Sequence, residues 1–137
     1  MLTVALPSAV GRARAYTRWV LGAWGLDGEV VTVELLVSEL VTNAVNATGV
    51  FCDMSGQSNL AGKAAPIYLC LSVVAEALHI EVWDVSKKLP RKRAALDKDE
   101  NGRGLLLVET LSKEWGCKVL PSGGKIVWCK YLIGAGA

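Results

Sequence analysis

The chain has 137 residues, 52% of them hydrophobic, which is enough for a domain with a sizeable core and too apolar for disorder. Its net charge of +2 gives no overall basic excess of the kind that marks many nucleic-acid binders. No uninterrupted apolar run approaches the ~18 residues of a membrane span, and residues 1–7 lack the basic start and apolar segment of a signal peptide. We therefore expect one domain, residues 1–137, in the cytoplasm and without membrane contact.

The first half of the chain predicts one short strand and two helices. Residues 2–6 form the strand, and a Ser can cap a helix over residues 8–24, which Gly25 would stop. An Asp then caps a long apolar helix over residues 27–49. Residues 50–65 are rich in Gly, Ser, Asn and Gln and are predicted to form a loop.

The second half predicts four strands and one helix. Residues 67–74 and 78–85 alternate between apolar and polar side chains, as two neighbouring antiparallel strands do. A helix over 104–114 follows, and then a hairpin of strands at 117–120 and 125–133. Strands and helices do not alternate strictly. We therefore predict an α+β fold, a two-layer sandwich with helices packed on one face of a mostly antiparallel sheet.

A polar stripe marks the long second helix. Glu39, Asn43 and Asn46 stand at i, i+4 and i+7, so a period of 3.6 places them on one side of an otherwise apolar helix. Asn is a mediocre helix former because its side chain competes for backbone hydrogen bonds. Two of them beside an acid, with no Lys or Arg, indicate a stripe that faces a ligand. An ordinary solvated face that lacks basic residues is the alternative.

The four cysteines, at positions 52, 70, 117 and 129, include no Cys-x-x-Cys pair, and the chain has a single His. This spacing matches neither a zinc site nor a dense disulfide framework. We expect all four thiols to be reduced and structural.

Basic charge is concentrated in residues 87–103, which hold seven basic and three acidic side chains. Such a run is usually a solvated loop and sometimes a nucleic-acid patch. No aromatic residue is interleaved to stack on bases, so direct nucleic-acid binding is not expected.

Two further features flank this basic segment. Asp84 ends an apolar strand, where it could bind a ligand or simply initiate a turn. Gly102-Arg103-Gly104 stands at the predicted start of the third helix. Glycines let backbone amides approach a phosphate and a helix N-terminus favours the anion, although a flexible helix start is the common alternative.

An Asn-bearing helix, a strand that ends in Asp and a Gly-x-Gly helix start, in this order, resemble the N, G1 and G2 boxes of the GHKL ATPase superfamily. That group includes gyrase B subunits and histidine kinases. The chain most resembles the small anti-sigma-factor serine kinases, especially their actinobacterial branch of ATP-binding proteins. The phrases that carry this resemblance are Leu36-Val37-Ser38-Glu39-Leu40-Val41-Thr42-Asn43-Ala44-Val45 and Gly102-Arg103-Gly104-Leu105-Leu106-Leu107-Val108-Glu109. It implies a Bergerat-type ATP-binding fold.

The resemblance also implies residue roles. Asn43 would bind Mg²⁺, Glu39 would be the catalytic general base, and Asp84 would receive the adenine amino group. Residues 86–102 would form a lid loop over the nucleotide, and its basic charge would face the phosphates. Further nucleotide contacts are implied for Asn46, Ala47, Ser86, Gly102, Arg103, Gly104 and Leu105.

Several positions depart from the family's pattern. The usual G1 box is Asp-x-Gly-x-Gly, but Ser86 and Lys88 stand where its glycines would be. Ala47 occupies a position where many of these kinases carry a His. Lys125 lies in the last hairpin, where a Thr often meets the adenine pocket. These changes affect the lid and phosphotransfer more than adenine binding.

The function that the resemblance implies is an ATP- and Mg²⁺-binding regulatory protein, an anti-sigma-factor-type serine/threonine kinase that phosphorylates a partner switch protein. The partner would be an anti-sigma antagonist or a sigma factor, and a homodimer is suggested by the family alone. The alternative is a non-catalytic module that binds ATP or ADP to stabilise a surface and sequesters a sigma factor or another partner. Glu39 favours the enzyme, whereas the altered G1 box favours the module.

Overall fold

The structure is a computed structural model that describes residues 1–54, 65–86 and 100–134, and for 49–54 and 100–105 the backbone only. Five strands and three α-helices lie within these ranges, and a 3-10 turn at Asp27–Glu29 leads into the second helix. In chain order they are β1 (Leu2–Val4), α1 (Ser8–Ala23), α2 (Val30–Met54), β2 (Pro66–Val74), β3 (Ala77–Asp84), α3 (Glu100–Leu111), β4 (Glu114–Val119) and β5 (Lys125–Leu132).

The strands form one antiparallel sheet in the order β1-β2-β3-β5-β4. Side chains alternate along each central strand, so one face of the sheet carries the buried residues and the helices cover it. The core between the layers includes Leu69, Ile80, Val82 and Val127 from the sheet. The predicted α+β two-layer architecture is confirmed.

Gly25 ends α1 as the sequence predicts. Its φ of +72° allows the Leu26 amide to donate to the Leu21 carbonyl at 2.8 Å, and its own amide donates to Gly22 at 3.1 Å. The predicted cap at Ser8 is wrong, because Pro7 occupies the N-cap position and no side chain bonds the first turn.

The apolar side of α2 lies at the centre of the core, where Val33, Leu36, Val37 and Leu40 are fully buried. Residues Asp27–Thr48 have the length and mean hydropathy, 1.3, of a possible membrane span. A search for uninterrupted apolar runs does not detect this, because acidic residues interrupt the segment. Packing of this helix against α1, α3 and the sheet accounts for its apolar character.

Three element boundaries differ from the predictions. Helix α2 continues to Met54, so the first residues of the predicted loop 50–65 are helical. Helix α3 begins at Glu100, and β4 begins at Glu114, where a helix was predicted to end. A glycine inside a helix costs only about 1 kcal/mol relative to alanine, so Gly49, Gly102 and Gly104 do not oblige a helix to stop. Residues 87–99, most of the predicted lid, lie outside the described residues.

Candidate active site

The polar stripe of α2 is half-buried. Glu39, Asn43, Asn46 and Ala47 are each partly covered, in contrast to the exposed Leu35 on the same helix. Glu34, which makes an exposed ion pair with Arg18, has the same intermediate burial, so burial alone does not separate a ligand-facing stripe from a solvated face. The roles assigned to the stripe residues as base, metal ligand and nucleotide contacts stay predictions.

Asp84 is the last residue of β3 and is completely buried. Its Oδ1 atom accepts a hydrogen bond from the Ser86 amide at 2.8 Å, which closes a turn between the carboxylate and the backbone two residues later. Asp84 therefore does initiate a turn, as the simpler alternative proposed. Its second oxygen, Oδ2, is also buried and has no hydrogen-bond partner among the described residues.

Lys125 is the partner that the sequence did not reveal. It is the first residue of β5 and lies directly opposite Asp84 in the β3–β5 register. Its Nζ donates to Asp84 Oδ1 at 2.9 Å and reaches the Ser86 carbonyl at 3.5 Å, and the Lys125 side chain is wholly buried. The sequence held two signals for its location. The family resemblance places Lys125 in the hairpin where a Thr often meets the adenine pocket, and the strand's alternation turns it inward with Val127, Cys129 and Tyr131.

A tight turn holds this ion pair in place. Gly124 has φ of +77°, and a Cβ at this position would lie 2.3 Å from the Asp84 carbonyl oxygen and 3.0 Å from the Trp83 indole. On the outer face of the sheet, Trp83 makes an edge contact with Tyr68 at a centroid distance of 5.6 Å. The backbone that carries Lys125 is therefore pressed against the end of β3, which fixes the two charged groups at hydrogen-bonding distance.

Burial and the neighbouring donors shift the pKa of Asp84 in opposite directions. Burial raises the pKa of the Asp84 carboxyl above its ordinary value, and it outweighs the lowering by the Lys125 hydrogen bond, the Lys125 charge and the Ser86 amide. The neighbouring Cys117 thiol also has a raised pKa, chiefly because of burial, with a smaller lowering by Lys125 and a raising by Asp84.

The fold brings together the elements that carry the three sequence motifs. Helix α2 packs against both β3 and α3, so the three elements that carry these motifs are neighbours in the fold. Gly102 and Arg103 lie within the first turn of α3, not ahead of it as predicted, because the helix begins at Glu100. Gly104 and Leu105 are helical, as predicted. Their side chains lie outside the described part.

The side chains of the site determine whether it could hold a metal ion. Within the described residues, no group of three or more His, Cys, Asp or Glu side chains is placed to hold a metal ion. A magnesium ion that keeps most of its waters needs only one or two protein oxygens. The half-buried Asn43 amide, one helical turn from Glu39, has the oxygen chemistry for such a site.

Comparisons with known proteins agree with the fold. A family model described as "Histidine kinase-like ATPase domain" matches residues 3–130. The histidine kinase domain of a blue-light activated histidine kinase from Erythrobacter litoralis superposes with a TM-score of 0.54 at 21% identity, covering 90% of this chain and 59% of that one. A second structure of that kinase gives a TM-score of 0.55 at 21% identity, with 93% of this chain and 42% of that one covered.

The chain thus spans less than two thirds of the length of either kinase structure. At this identity the two structures show a shared fold and no more. No curated protein matches the sequence.

Proposed function

The chain belongs to the histidine kinase-like ATPase domain family, which implies ATP binding, and we propose that it is an anti-sigma-factor-type serine/threonine protein kinase. It would bind ATP with Mg²⁺ in the cytoplasm and transfer the γ-phosphoryl group to a hydroxyl of a partner switch protein. The observation that carries its nucleotide-binding part is Oδ2 of Asp84, which is fully buried at the end of β3 and has no hydrogen-bond partner in the part of the chain that the structure describes.

Base recognition follows from the chemistry of that oxygen. An ionised carboxylate can only accept hydrogen bonds, and adenine offers a donor in its exocyclic amino group. A buried carboxylate oxygen without a donor is unfavourable, so a ligand that supplies one is stabilised at this position. Asp84 would thus recognise the base, while Asn43 and the N-terminal turns of α3 would hold the metal and the phosphates.

Phosphoryl transfer would depend on Glu39. When bound, the magnesium ion neutralises developing charge on the phosphates. The Glu39 carboxylate, on the same stripe as Asn43 and one turn away, would take the proton from the attacking hydroxyl. A correctly placed general base typically contributes about 10²–10⁴-fold to the rate.

Nucleotide binding is tested first, by thermal unfolding. A ligand that binds only the folded state, at ~100 times its dissociation constant, stabilises it by about 2.7 kcal/mol. Millimolar Mg-ATP or Mg-ADP should therefore raise the melting temperature. A melting temperature that does not respond to either nucleotide would contradict ATP binding.

Phosphotransfer is tested by incubation with γ-labelled ATP and an extract of the source cells. The wild type should label a partner protein on Ser or Thr, and Glu39→Gln should bind ATP normally and label nothing. Glu34→Gln is the matched control, because Glu34 lies on the same helix, pairs with Arg18 at 2.5 Å and points ~140° away from Glu39. If Glu39→Gln transferred phosphate as fast as Glu34→Gln, the base assignment would be wrong.

A non-catalytic module that sequesters its partner is the second candidate. It is favoured by Ser86, which stands at a position where the family has glycine. In that case nucleotide would still raise the melting temperature, but no labelled partner would appear. Partner binding would then be identical for the wild type and Glu39→Gln.

A further inference from the structure

Lys125 is an unusual residue for its place in the sheet. It lies on the inward face of β5, whose other inward residues are apolar or aromatic, and none of its side chain is exposed. Removing an ammonium group from water is strongly unfavourable unless a partner compensates. The compensation is the Asp84 carboxylate at 2.9 Å, so the pair is held as one buried unit.

The two oxygens of Asp84 are not equivalent. Oδ1 receives both available donors, the Lys125 ammonium and the Ser86 amide at 2.8 Å. Oδ2 is buried and receives no hydrogen bond within the described parts of the chain. The carboxylate is thus hydrogen-bonded at Oδ1, whereas Oδ2 is buried and lacks a donor within the described residues.

From this asymmetry we propose that Lys125 is the positioning residue for base selectivity. Its ammonium group holds Oδ1 and keeps the Asp84 carboxylate charged, so that Oδ2 is an obligate acceptor for an exocyclic amino group. The selectivity is for a purine with an amino group, and against one with a carbonyl, at position 6. This inference rests on the proposed ATP binding and assigns its base selectivity to Lys125, which stands where the family often has a Thr.

The charge balance supports this role. Burial raises the pKa of Asp84, and the Lys125 hydrogen bond and charge are the larger of the causes that oppose it. Among the described residues, Lys125 from β5 is the titratable group that acts on the Asp84 carboxyl. The charges of Lys125 and Asp84 act in turn on the Cys117 thiol from β4, and its raised pKa keeps it neutral at pH 7. Without the ammonium group, the carboxyl would take a proton at higher pH. A protonated carboxyl can donate a hydrogen bond, and its preference for an amino group would then disappear.

The test compares ATP with inosine triphosphate, which carries a carbonyl in place of the 6-amino group. Dissociation constants would be measured by calorimetry between pH 6 and 8.5 for the wild type, Lys125→Met and Lys125→Arg. Lys130→Met is the matched control, because Lys130 lies on the same strand and faces away from the helices. Lys125→Gln, which keeps a donor without the charge, replaces the methionine variant if that protein does not fold.

The wild type and Lys130→Met should prefer ATP by at least about tenfold, which corresponds to about 1.4 kcal/mol. In Lys125→Met the ratio of the dissociation constants for inosine triphosphate and ATP should fall toward unity, and it should fall further as the pH is lowered. Lys125→Arg should recover most of the wild-type ratio. A folded Lys125→Met with the wild-type preference at every pH would overturn the inference. So would a stronger preference for ATP, because the ammonium group would then act as a donor to the base itself.

Failure of the proposed function is distinguishable from failure of this inference. If the wild type bound neither nucleotide, ATP binding would be wrong. The carboxyl titration of Asp84, followed by carbon-13 NMR in the nucleotide-free protein, would still test the role of Lys125. Its midpoint should be higher in Lys125→Met than in Lys130→Met, and equal midpoints would contradict the inference.

Discussion

Substitution of Gly124 by alanine isolates the contact that holds the ion pair together. Gly124 and Gly25 have nearly the same positive φ, +77° and +72°. They differ in their surroundings. A Cβ at Gly124 would lie 2.3 Å from the Asp84 carbonyl oxygen, whereas a Cβ at Gly25 would meet nothing within 4 Å. Gly25→Ala therefore measures backbone strain alone, and Gly124→Ala measures the same strain plus a clash with β3.

The expected magnitudes follow from these two terms. A left-handed conformation costs an L-residue about 1–2 kcal/mol, and this applies to both variants. The reduced entropy of the unfolded chain offsets about 0.4–1 kcal/mol in both and cancels in the comparison. An inserted methyl group in a packed site adds about 1–3 kcal/mol. Gly124→Ala should thus be destabilised by about 1–3 kcal/mol more than Gly25→Ala.

Chemical denaturation of the two variants and the wild type measures this difference directly. Thermal unfolding should agree, with a melting temperature for Gly124→Ala that is lower than that of Gly25→Ala by roughly 4–12 °C, at about 4 °C per kcal/mol for a domain of this size. Nucleotide affinity should fall only in Gly124→Ala, since the clash displaces the carbonyl of Asp84. Equal destabilisation of the two variants would refute the view that the turn is pressed against β3.

Three further predictions concern the site and the cysteines. Asn43→Ala should reduce the gain in ATP affinity that Mg²⁺ provides, measured as the ratio of dissociation constants with and without a chelator; an unchanged ratio would remove Asn43 from the metal site. Asp84→Asn should lower ATP affinity and narrow the preference for ATP over GTP, because the Asn amide can donate to the guanine carbonyl oxygen. Calorimetry with both nucleotides measures this preference, and an unchanged preference would contradict the role of Asp84. The same variant leaves a buried ammonium group unpaired and should lose about 3–5 kcal/mol of stability in denaturant unfolding. Burial raises the pKa of Cys129 to about 12, so iodoacetamide at pH 8 should modify the exposed Cys70 in the folded protein and Cys129 only after unfolding, as mass spectrometry would show.

Helix periodicity was a reliable guide to the interior of α2 and a poor guide to its end. The period of 3.6 separates the polar stripe from the apolar positions, and of these Val37 and Leu40 are fully buried. The predicted stop near Gly49 failed, because a glycine lowers helix stability without preventing it. Gly25 does stop a helix, and the difference is its positive φ and the two hydrogen bonds that this conformation permits. Which glycine adopts that conformation is decided by the surrounding structure.

The ion pair illustrates what local sequence does not contain. Asp84 and Lys125 are far apart in the chain, and they meet only because β3 and β5 pair antiparallel in one particular register. The alternation of β5 indicates that Lys125 lies on the buried face, but its partner depends on the neighbouring strand. The hairpin of β4 and β5 was predicted, but the pairing of β5 with β3 was not, so the partner of Lys125 was not predicted either.

The hydrogen bonds of Asp84 show that the altered G1 box keeps the backbone contact that orients this carboxylate. Where the family has glycine, Ser86 donates its backbone amide to Asp84 Oδ1, and every residue except proline carries that donor. The replacement of glycine by serine therefore preserves the bond that orients the carboxylate. Lys125 supplies a second donor to the same oxygen. Loss of the glycine is thus weak support for a protein that has lost base recognition. The decision between kinase and non-catalytic module depends on Glu39 and on the N-terminal end of α3, where we propose that the phosphates bind.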